Sequence, residues 1–371
     1  MKIICSKNSL LKSVSISLKA VPSKTTMPIL ECILIDATTN QIKFTTNDME
    51  LGIETIVDGN IAEKGMVALD AKIFYEIIRR LPDNDVTIKT DDKFTATITC
   101  EKAKFNIPGK SGEDFAYLPL IEREESLTIS QYTLKEMIRQ TIFSIAVNEN
   151  NKLMTGELFE IKDNCLKVVS LDGHRIAIRK MPLKRTYSDR KVVVPGKTLN
   201  EISKILSGER DDMVSIFFTK NHILFEFDQT MVVSRLIEGE YFRIEQMLSS
   251  DYETKLSINK KEFLDCIDRA TLLVREGDKK PIIIHITDNN MELKIDSAMG
   301  SMNEDIDIEK EGKDILIGFN PKFLIDALKV IDDEIINIYL VNPKAPCFIR
   351  DDEENYTYLI LPVNINQNQA R

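Results

Sequence analysis

Three segments of the chain share one pattern of apolar and charged positions. Each opens with a lysine, carries apolar residues two, five and nine positions later, an acid four positions later and a second base seven positions later. On an α-helix, which turns about 100° per residue, positions i and i+7 nearly coincide and the apolar set lies roughly opposite. The pattern predicts three helices that bury one face and direct two cations outward. Lysine, apolar set and second base are, in turn, Lys72 with Phe74, Ile77, Leu81 and Arg79; Lys197 with Leu199, Ile202, Leu206 and Lys204; and Lys322 with Leu324, Ala327, Ile331 and Lys329.

The three lysines are 125 residues apart in both intervals, which indicates an internal repeat. Each third also reads as a first helix, two strands around an Asn- or Asp-containing turn, the lysine-led helix and closing strands. This order predicts an α+β fold of three homologous units, each with two helices packed on antiparallel sheets. Charged stretches suggest the unit boundaries 1–125, 126–252 and 253–371.

Composition is that of an ordinary globular protein, with 371 residues, 43% apolar and 29% charged. Its six cysteines are scattered without a C-x-x-C pair, so we predict neither a zinc site nor disulfides, and a reducing compartment. No apolar run is long enough for a membrane span and the start of the chain is too short for a signal peptide. We therefore expect a soluble cytoplasmic protein that carries no metal or cofactor.

A net charge of −10 argues against a protein that coats nucleic acid over its whole surface. It leaves room for a basic surface on one face of an acidic body. Three lysine-led helices facing one shared wall, without aromatic residues for base stacking, would suit the phosphates of duplex DNA. The alternative is that these are ordinary solvated helices, whose acids at i+4 (Glu76, Glu201 and Asp326) pair with the bases.

A nucleotide-binding enzyme is a further alternative, because Gly196-Lys197-Thr198 follows an apolar strand as in a phosphate-binding loop. The motif also needs a glycine five residues before Gly196, and that position holds Lys191. The equivalent Lys72 and Lys322 have no glycine before them. A second Gly-Lys-Ser, at 109–111, has Lys104 in the same upstream position. The lysine therefore belongs to the repeat, and an ATPase is disfavoured.

Several short motifs occur in order along the whole chain: 26–30 (TMPIL), 46–50 (TNDME), 171–175 (LDGHR) and 358–363 (YLILPV). With the threefold repeat, they make the chain resemble the beta subunits of bacterial DNA polymerase III, the replicative sliding clamps. The resemblance implies a non-catalytic processivity factor: a crescent of three units that closes as a head-to-tail dimer into a ring around duplex DNA. It also implies that the first unit of one protomer meets the third unit of the next, through Phe105, Ile107, Leu272 and Leu273.

The same resemblance implies a groove that receives short apolar peptides from the DNA polymerase III catalytic subunit, the clamp loader, other polymerases and repair proteins. Asp172 and His174 in that region have no nucleophile motif beside them, so we do not predict catalysis. The groove residues carried over are Met154, Leu171, Gly173, His174, Arg175, Ile176, Phe242, Met247, Asn320, Phe323, Lys344, Pro346, Leu361, Pro362 and Val363. At Phe242 and Gln246 the chain departs from the family pattern, and its tail from Asn364 to Arg371 extends past the usual end.

DNA-facing residues come from two sources. The repeated helix faces supply most of them, and the resemblance adds Lys24, Asn148 and Lys152 in loops. An interaction hub that binds proteins but not DNA remains the alternative function. The predicted DNA-facing set is Lys24, Lys72, Arg79, Lys135, Arg139, Asn148, Lys152, Lys197, Lys204, Lys322 and Lys329.

Overall fold

The computed structural model describes residues 1–147, 151–249, 251–275 and 280–365. Polar side chains cap several helix starts: Asp70 accepts the Ile73 N–H at 2.8 Å, and Asn320 accepts the Lys322 N–H at 3.0 Å. Among the described residues there are six α-helices: α1 (Lys7–Ser17), α2 (Ala71–Arg80), α3 (Gln131–Arg139), α4 (Gly196–Ile205), α5 (Lys260–Thr271) and α6 (Pro321–Leu328).

The lysine-led segments form helices α2, α4 and α6, as the repeat predicts. All nine apolar positions of the pattern are buried, whereas the three lysines and the three second bases are exposed. The apolar faces of α2 and α6 belong to separate hydrophobic cores. The predicted burial pattern of these helices is therefore confirmed.

The strands form four sheets, and every strand pairing in the described chain is antiparallel. Two sheets are small. In spatial order, the five-stranded sheet contains β5 (Asn60–Glu63), β1 (Lys2–Ser6), β7 (Asp85–Thr90), β8 (Ala96–Cys100) and β9 (Ala103–Ile107). The four-stranded sheet contains β22 (Gly300–Asp307), β21 (Asn290–Ser297), β20 (Ile282–Thr287) and β24 (Ile315–Phe319).

The other two sheets have nine strands each, and each takes strands from two neighbouring thirds of the chain. The first contains β10 (Gly109–Lys110), β6 (Met66–Asp70), β2 (Cys32–Asp36), β3 (Ile42–Asn47), β4 (Leu51–Val57), β18 (Thr230–Arg235), β17 (His222–Phe227), β16 (Met213–Phe218) and β11 (Ser126–Ser130). The second contains β15 (Arg190–Pro195), β12 (Gly156–Lys162), β13 (Cys165–Leu171), β14 (Arg175–Pro182), β27 (Tyr356–Ile360), β26 (Cys347–Arg350), β25 (Ile335–Leu340), β19 (Thr254–Asn259) and β23 (Glu309–Gly312).

This sharing of strands explains why the chain divides into two compact units although its sequence repeats three times. One unit comprises Met1–Lys135 with Lys197–Leu236, and the other comprises Glu136–Gly196 with Ile237–Arg371. In the first unit, β4 pairs with β18, and the buried hydroxyls of Thr55 and Thr230 lie 2.9 Å apart across that junction. In the second unit, β14 pairs with β27. Helices packed on antiparallel sheets are the α+β arrangement that the sequence predicts.

None of the helices in the described ranges is both long enough and apolar enough to cross a bilayer. Five of the six cysteines are buried and Cys165 is half-buried, all of them as free thiols.

Candidate functional site

The turn between β13 and β14 presents the Asp172-Gly173-His174-Arg175 motif. Gly173 has φ = 82°, a conformation that glycine adopts without steric cost. One oxygen of the Asp172 carboxylate accepts the N–H groups of His174 and Arg175, at 3.0 and 3.1 Å. Asp172 therefore fixes the turn rather than serving as a free acid, and His174 stays exposed at its tip.

Arg175 is held inside the protein, with only 7% of its side chain exposed. Its guanidinium donates to Asp172 Oδ2 at 3.0 Å, to Asp326 Oδ2 at 2.7 Å and to the Phe143 carbonyl at 2.6 Å. These contacts hold the Arg175 side chain in a fixed position, and its place in the peptide groove stays a prediction.

The sequence did not place Asp326 and Phe143 at this site, where both contact Arg175. Asp326 appeared only as the i+4 acid of the third lysine-led helix, and in the structure it pairs with Arg175 rather than with a basic residue of that helix. Phe143 carries no motif, because it contributes a carbonyl and a ring that packs 5.3 Å from the guanidinium. The signal for Asp326 was its place in the repeat, whose other two acids pair with bases three positions later.

An aromatic surface covers the braced arginine. The Arg175 guanidinium lies 4.6 Å from the centroid of the Phe323 ring, within the range of a cation–π contact. The imidazole of His174 stacks on the same ring, with centroids 5.9 Å apart and planes 20° apart. The structure thus brings together His174 and Arg175 from the second repeat and Phe323 from the third, three residues that the family resemblance assigns to one groove.

The apolar floor next to this surface comes from the second nine-stranded sheet. Leu171 and Ile176 are buried there with Tyr241, while Met154 and Phe242 pack against the same cluster and remain half-buried. Leu171 and Ile176 therefore support the floor, and Met154 and Phe242 form its accessible part. Tyr241 was missed as a site residue; its ring meets Phe242 edge-on at 5.4 Å and so holds that residue in place.

The remaining predicted groove residues lie around this floor in different ways. Leu361 donates its N–H to the His174 carbonyl at 2.9 Å and keeps an exposed side chain, and Met247 is half exposed. Asn320 is the N-cap of α6, three residues before Phe323. Pro346, Pro362 and Val363 are half-buried. Lys344 is exposed, and its backbone N–H donates to the Asn342 side chain at 2.9 Å.

Several cations predicted to face DNA are already paired with acids. Arg79 donates to Glu76 at 2.8 Å, and Lys204 donates to Glu201 at 2.7 Å. Lys197 contacts Asp48, whose side chain is only 5% exposed. The ordinary pairing that the sequence left open as an alternative is therefore present in two of the three lysine-led helices.

Arg139 belongs to the predicted DNA-facing set and bonds to several groups of the protein itself. Its guanidinium is bound by Glu136 and by Asp332, the latter at 2.8 Å, and it also donates to the Val330 carbonyl at 3.2 Å. Arg139 is therefore the most internally bonded member of the predicted DNA-facing set, and its assignment stays a prediction. Lys135 is half-buried and donates to the Leu206 carbonyl at 3.4 Å. Lys24, Lys72, Lys152, Lys322 and Lys329 are exposed, and Asn148 lies outside the described residues.

The Gly-Lys-Thr segment is not arranged as a nucleotide site. The Thr198 hydroxyl is buried and bonded to the Ser234 hydroxyl at 2.6 Å, and Lys197 contacts Asp48. In the second candidate, Gly109 and Lys110 form the short strand β10, and the Lys110 ammonium donates to the Pro28 carbonyl at 2.9 Å. The first segment therefore lacks a free hydroxyl for a phosphate-bound metal ion, and the second is part of a strand rather than a phosphate-binding loop.

The four predicted interface residues divide into exposed and half-buried pairs. Phe105 on the end strand β9 is 40% exposed, and Leu272 at the end of α5 is 74% exposed. Ile107 and Leu273 are half-buried against the cores below them. Beside Phe105 lies an apolar recess of about 360 Å³ that also contains the half-exposed Ile73, a residue that sequence reasoning did not select.

Comparisons with known proteins agree along most of the chain. Three family models, described as the N-terminal, central and C-terminal domains of the DNA polymerase III beta subunit, match residues 1–119, 128–242 and 245–364. A beta sliding clamp from Staphylococcus aureus is 36% identical over 358 residues, which cover 94% of this chain and 95% of the relative.

Solved structures give the same result. One from Eubacterium rectale, described as a DNA polymerase III beta subunit, is 71% identical with a TM-score of 0.96 and covers 98% of this chain and 100% of its own. The DNA polymerase sliding clamp from Bacillus subtilis is 34% identical with a TM-score of 0.95, over 99% of this chain and 100% of its own.

Proposed function

The chain belongs to the DNA polymerase III beta subunit family, and from that premise we propose how its surfaces perform the work of a DNA sliding clamp. Its function is that of a processivity factor, which tethers polymerases to DNA and carries out no catalysis itself. One observation supports this most strongly: all three domains of the family match in order, from residue 1 to residue 364. We propose unit boundaries at 1–125, 126–252 and 253–371.

The proposed assembly is a ring of two protomers in head-to-tail contact, with duplex DNA passing through the hole. A heterologous contact that closes on itself gives a finite ring rather than a filament. Phe105, with Ile107 beside it, would meet Leu272 and Leu273 of the second copy. The exposure of Phe105 and Leu272 supports this assignment, because burying both would remove two large apolar side chains from water.

Contacts with DNA are proposed to be weak and independent of sequence. The exposed Lys24, Lys72, Lys152, Lys322 and Lys329 would meet phosphates directly. Arg79, Lys197 and Lys204 would do so only by leaving the acids with which they pair. This competition keeps the attraction low, which suits a ring that must slide and that is retained by enclosure.

The groove is proposed to bind short apolar peptides from the DNA polymerase III catalytic subunit, the clamp loader, other polymerases and repair proteins. Methionine side chains such as Met154 and Met247 adapt to different apolar partners. His174 and Phe323 offer a flat aromatic surface, which Arg175 fixes from below. Such a site has an apolar floor with a few fixed polar groups, as small binding pockets commonly do.

A pair of charge substitutions tests the groove. We expect Met247→Asp combined with Leu361→Asp to weaken capture of a polymerase-derived peptide by about a hundredfold, because two apolar contacts become desolvated carboxylates. Binding is measured by fluorescence anisotropy, with overlapping 12-residue peptides that span the cognate catalytic subunit. Met213→Asp, at a methionine of similar exposure outside the groove residues, is the matched control. Unchanged peptide affinity in the double variant would remove the groove assignment.

A further inference from the structure

The last described segment of the chain, residues 361–365, links two sheets of one compact unit; we call it the C-terminal strap. The Leu361 N–H donates to the His174 carbonyl at 2.9 Å, which extends the pairing of β14 with β27 by one residue. Two residues later, the Val363 N–H donates to the Gly318 carbonyl at 2.8 Å. Gly318 belongs to β24, the last strand of the four-stranded sheet, so the strap leaves one sheet and joins the edge of another.

Gly318 allows the strap to approach β24 closely. A Cβ atom at this position would lie 2.9 Å from Ile365 Cγ1, 3.2 Å from Ile365 Cδ1 and 3.3 Å from the Val363 carbonyl oxygen. Such distances are too short for ordinary van der Waals contact. The Ile365 side chain therefore occupies the space that any other residue at 318 would take, and it is half-buried there.

The strap includes part of the proposed groove wall. Leu361, Pro362 and Val363 lie between the two hydrogen bonds, and Pro362 has no N–H with which to add a third. The strand that anchors the strap continues directly into Asn320 and the helix that bears Phe323. A shift of the strap on β24 would therefore move one wall of the groove relative to its aromatic surface.

We propose that Ile365 is a positioning residue: seated on Gly318, it locks the strap to β24 and so holds Leu361, Pro362 and Val363 in the geometry that captures an apolar peptide. This inference rests on the proposed groove and identifies what keeps one of its walls in place. It predicts that peptide capture needs Ile365 and does not need the six residues after it. Those residues are Asn366, Gln367, Asn368, Gln369, Ala370 and Arg371.

Two truncations that differ by one residue test the proposal. A chain ending at Ile365 is expected to bind the peptide probe as the full chain does, and a chain ending at Asn364 to bind it about tenfold more weakly. In the full chain, Ile365→Ala is expected to show the same loss and Ile365→Val to recover most of it. Gly318→Ala should also weaken binding, because the new Cβ displaces Ile365. The probe is the tightest peptide from the overlapping set described above.

Hydrogen exchange gives a readout that does not need the peptide. Loss of the Ile365 contact should speed amide exchange at Val363 by about tenfold. The thermal midpoint of the whole protein should stay within about 2 °C of wild type, since a half-exposed side chain contributes little to overall stability.

The outcomes separate the lock from the groove. Wild-type exchange and wild-type peptide affinity in Ile365→Ala would overturn the proposal, as would an equal loss of affinity in the chain ending at Ile365. Faster exchange at Val363 without any peptide binding by the wild type would support the lock and reject the groove.

Discussion

Glu157 on β12 is a carboxyl group with no exposed surface. Its two oxygens have no hydrogen-bond partner among the described residues. The Thr141 side chain acts on this carboxyl group, but its hydroxyl donates its hydrogen bond to the Met137 carbonyl at 2.7 Å. Burial raises the pKa of the Glu157 carboxyl well above its usual value, because the charged form would lose its hydration. Glu157 is therefore a fully buried acid that holds its proton more tightly than a carboxyl group in water does.

Glu157→Gln is expected to reveal this raised pKa as a change in stability with pH. In the folded state the carboxyl keeps its proton to higher pH than in the unfolded state, so native stability falls as pH rises above the unfolded pKa of about 4.3. The amide does not titrate, so the free energy of unfolding of the variant should gain on wild type by up to about 1.4 kcal/mol per pH unit. Urea unfolding between pH 5 and 8 measures it. The exposed Glu209→Gln is the control, and a difference independent of pH would contradict the account.

Arg175 shows what a sequence can and cannot predict about a single residue. The motif from Asp172 to Arg175 singles out a turn and the start of β14, because short-range motifs encode local backbone geometry. The role of Arg175 depends on Asp326, 151 residues away in the sequence, and on a backbone carbonyl of Phe143. The repeat marks Asp326 as an acid of the third lysine-led helix but does not link it to Arg175, and a backbone carbonyl has no residue signal, so the sequence could not predict that Arg175 is held by internal partners.

At the scale of elements, the sequence predicted which face of each lysine-led helix is buried. It did not predict which acid, if any, pairs with the leading lysine. Period and spacing determine which face of α2, α4 and α6 is apolar, since the apolar stripe must enter a core. The partner of an exposed lysine depends on loops from elsewhere in the chain. Asp48, between β3 and β4, binds Lys197, whereas Lys72 and Lys322 occupy the equivalent positions without an acid bonded to them among the described contacts.

Replacing the three equivalent lysines tests the DNA-facing role of these helices. Lys72→Gln, Lys197→Gln and Lys322→Gln together should lower the salt slope of DNA binding by about three in a ring of two protomers, if half of the six sites contact phosphate at once. Glutamine avoids placing a new acid beside the buried Asp48. Lys93, Lys162 and Lys220, exposed lysines in other parts of the chain, changed together to glutamine give the same loss of charge. Equal slopes in the two variants would contradict the assignment.

At the scale of the whole molecule, the sequence repeats three times but the structure forms two compact units, because neighbouring repeats share sheets. Sequence periodicity predicted three units because each carries the same order of helices and strands. The pairing of β4 with β18, and of β14 with β27, joins strands that are far apart in the sequence. Pairing between strands far apart in the sequence depends on backbone hydrogen bonds, which nearly all residue types can make. No pattern of residues therefore predicted it.

Assembly into a dimer is predicted to depend on the exposed apolar pair at the proposed interface. Phe105→Asp and Leu272→Asp, singly, should each shift the protein from dimer to monomer, because burial of a large apolar side chain contributes about 1.5 to 3 kcal/mol and a buried carboxylate opposes it. Sedimentation velocity across a range of concentrations measures the change. Leu120→Asp, at a fully exposed leucine outside the interface residues, should leave the dimer intact. A dimer of wild-type strength in both interface variants would reject this pairing of surfaces.

Retention on circular DNA is the measurement that tests topological enclosure most directly. The protein is loaded by its clamp loader onto a nicked circular duplex, separated from free protein by gel filtration at moderate salt, and the DNA is then cut once. We predict that the protein stays with the circle through the column and leaves within minutes after linearisation, because a closed ring slides off a free end. Equal retention on circular and linear DNA, or none on either, would contradict the account.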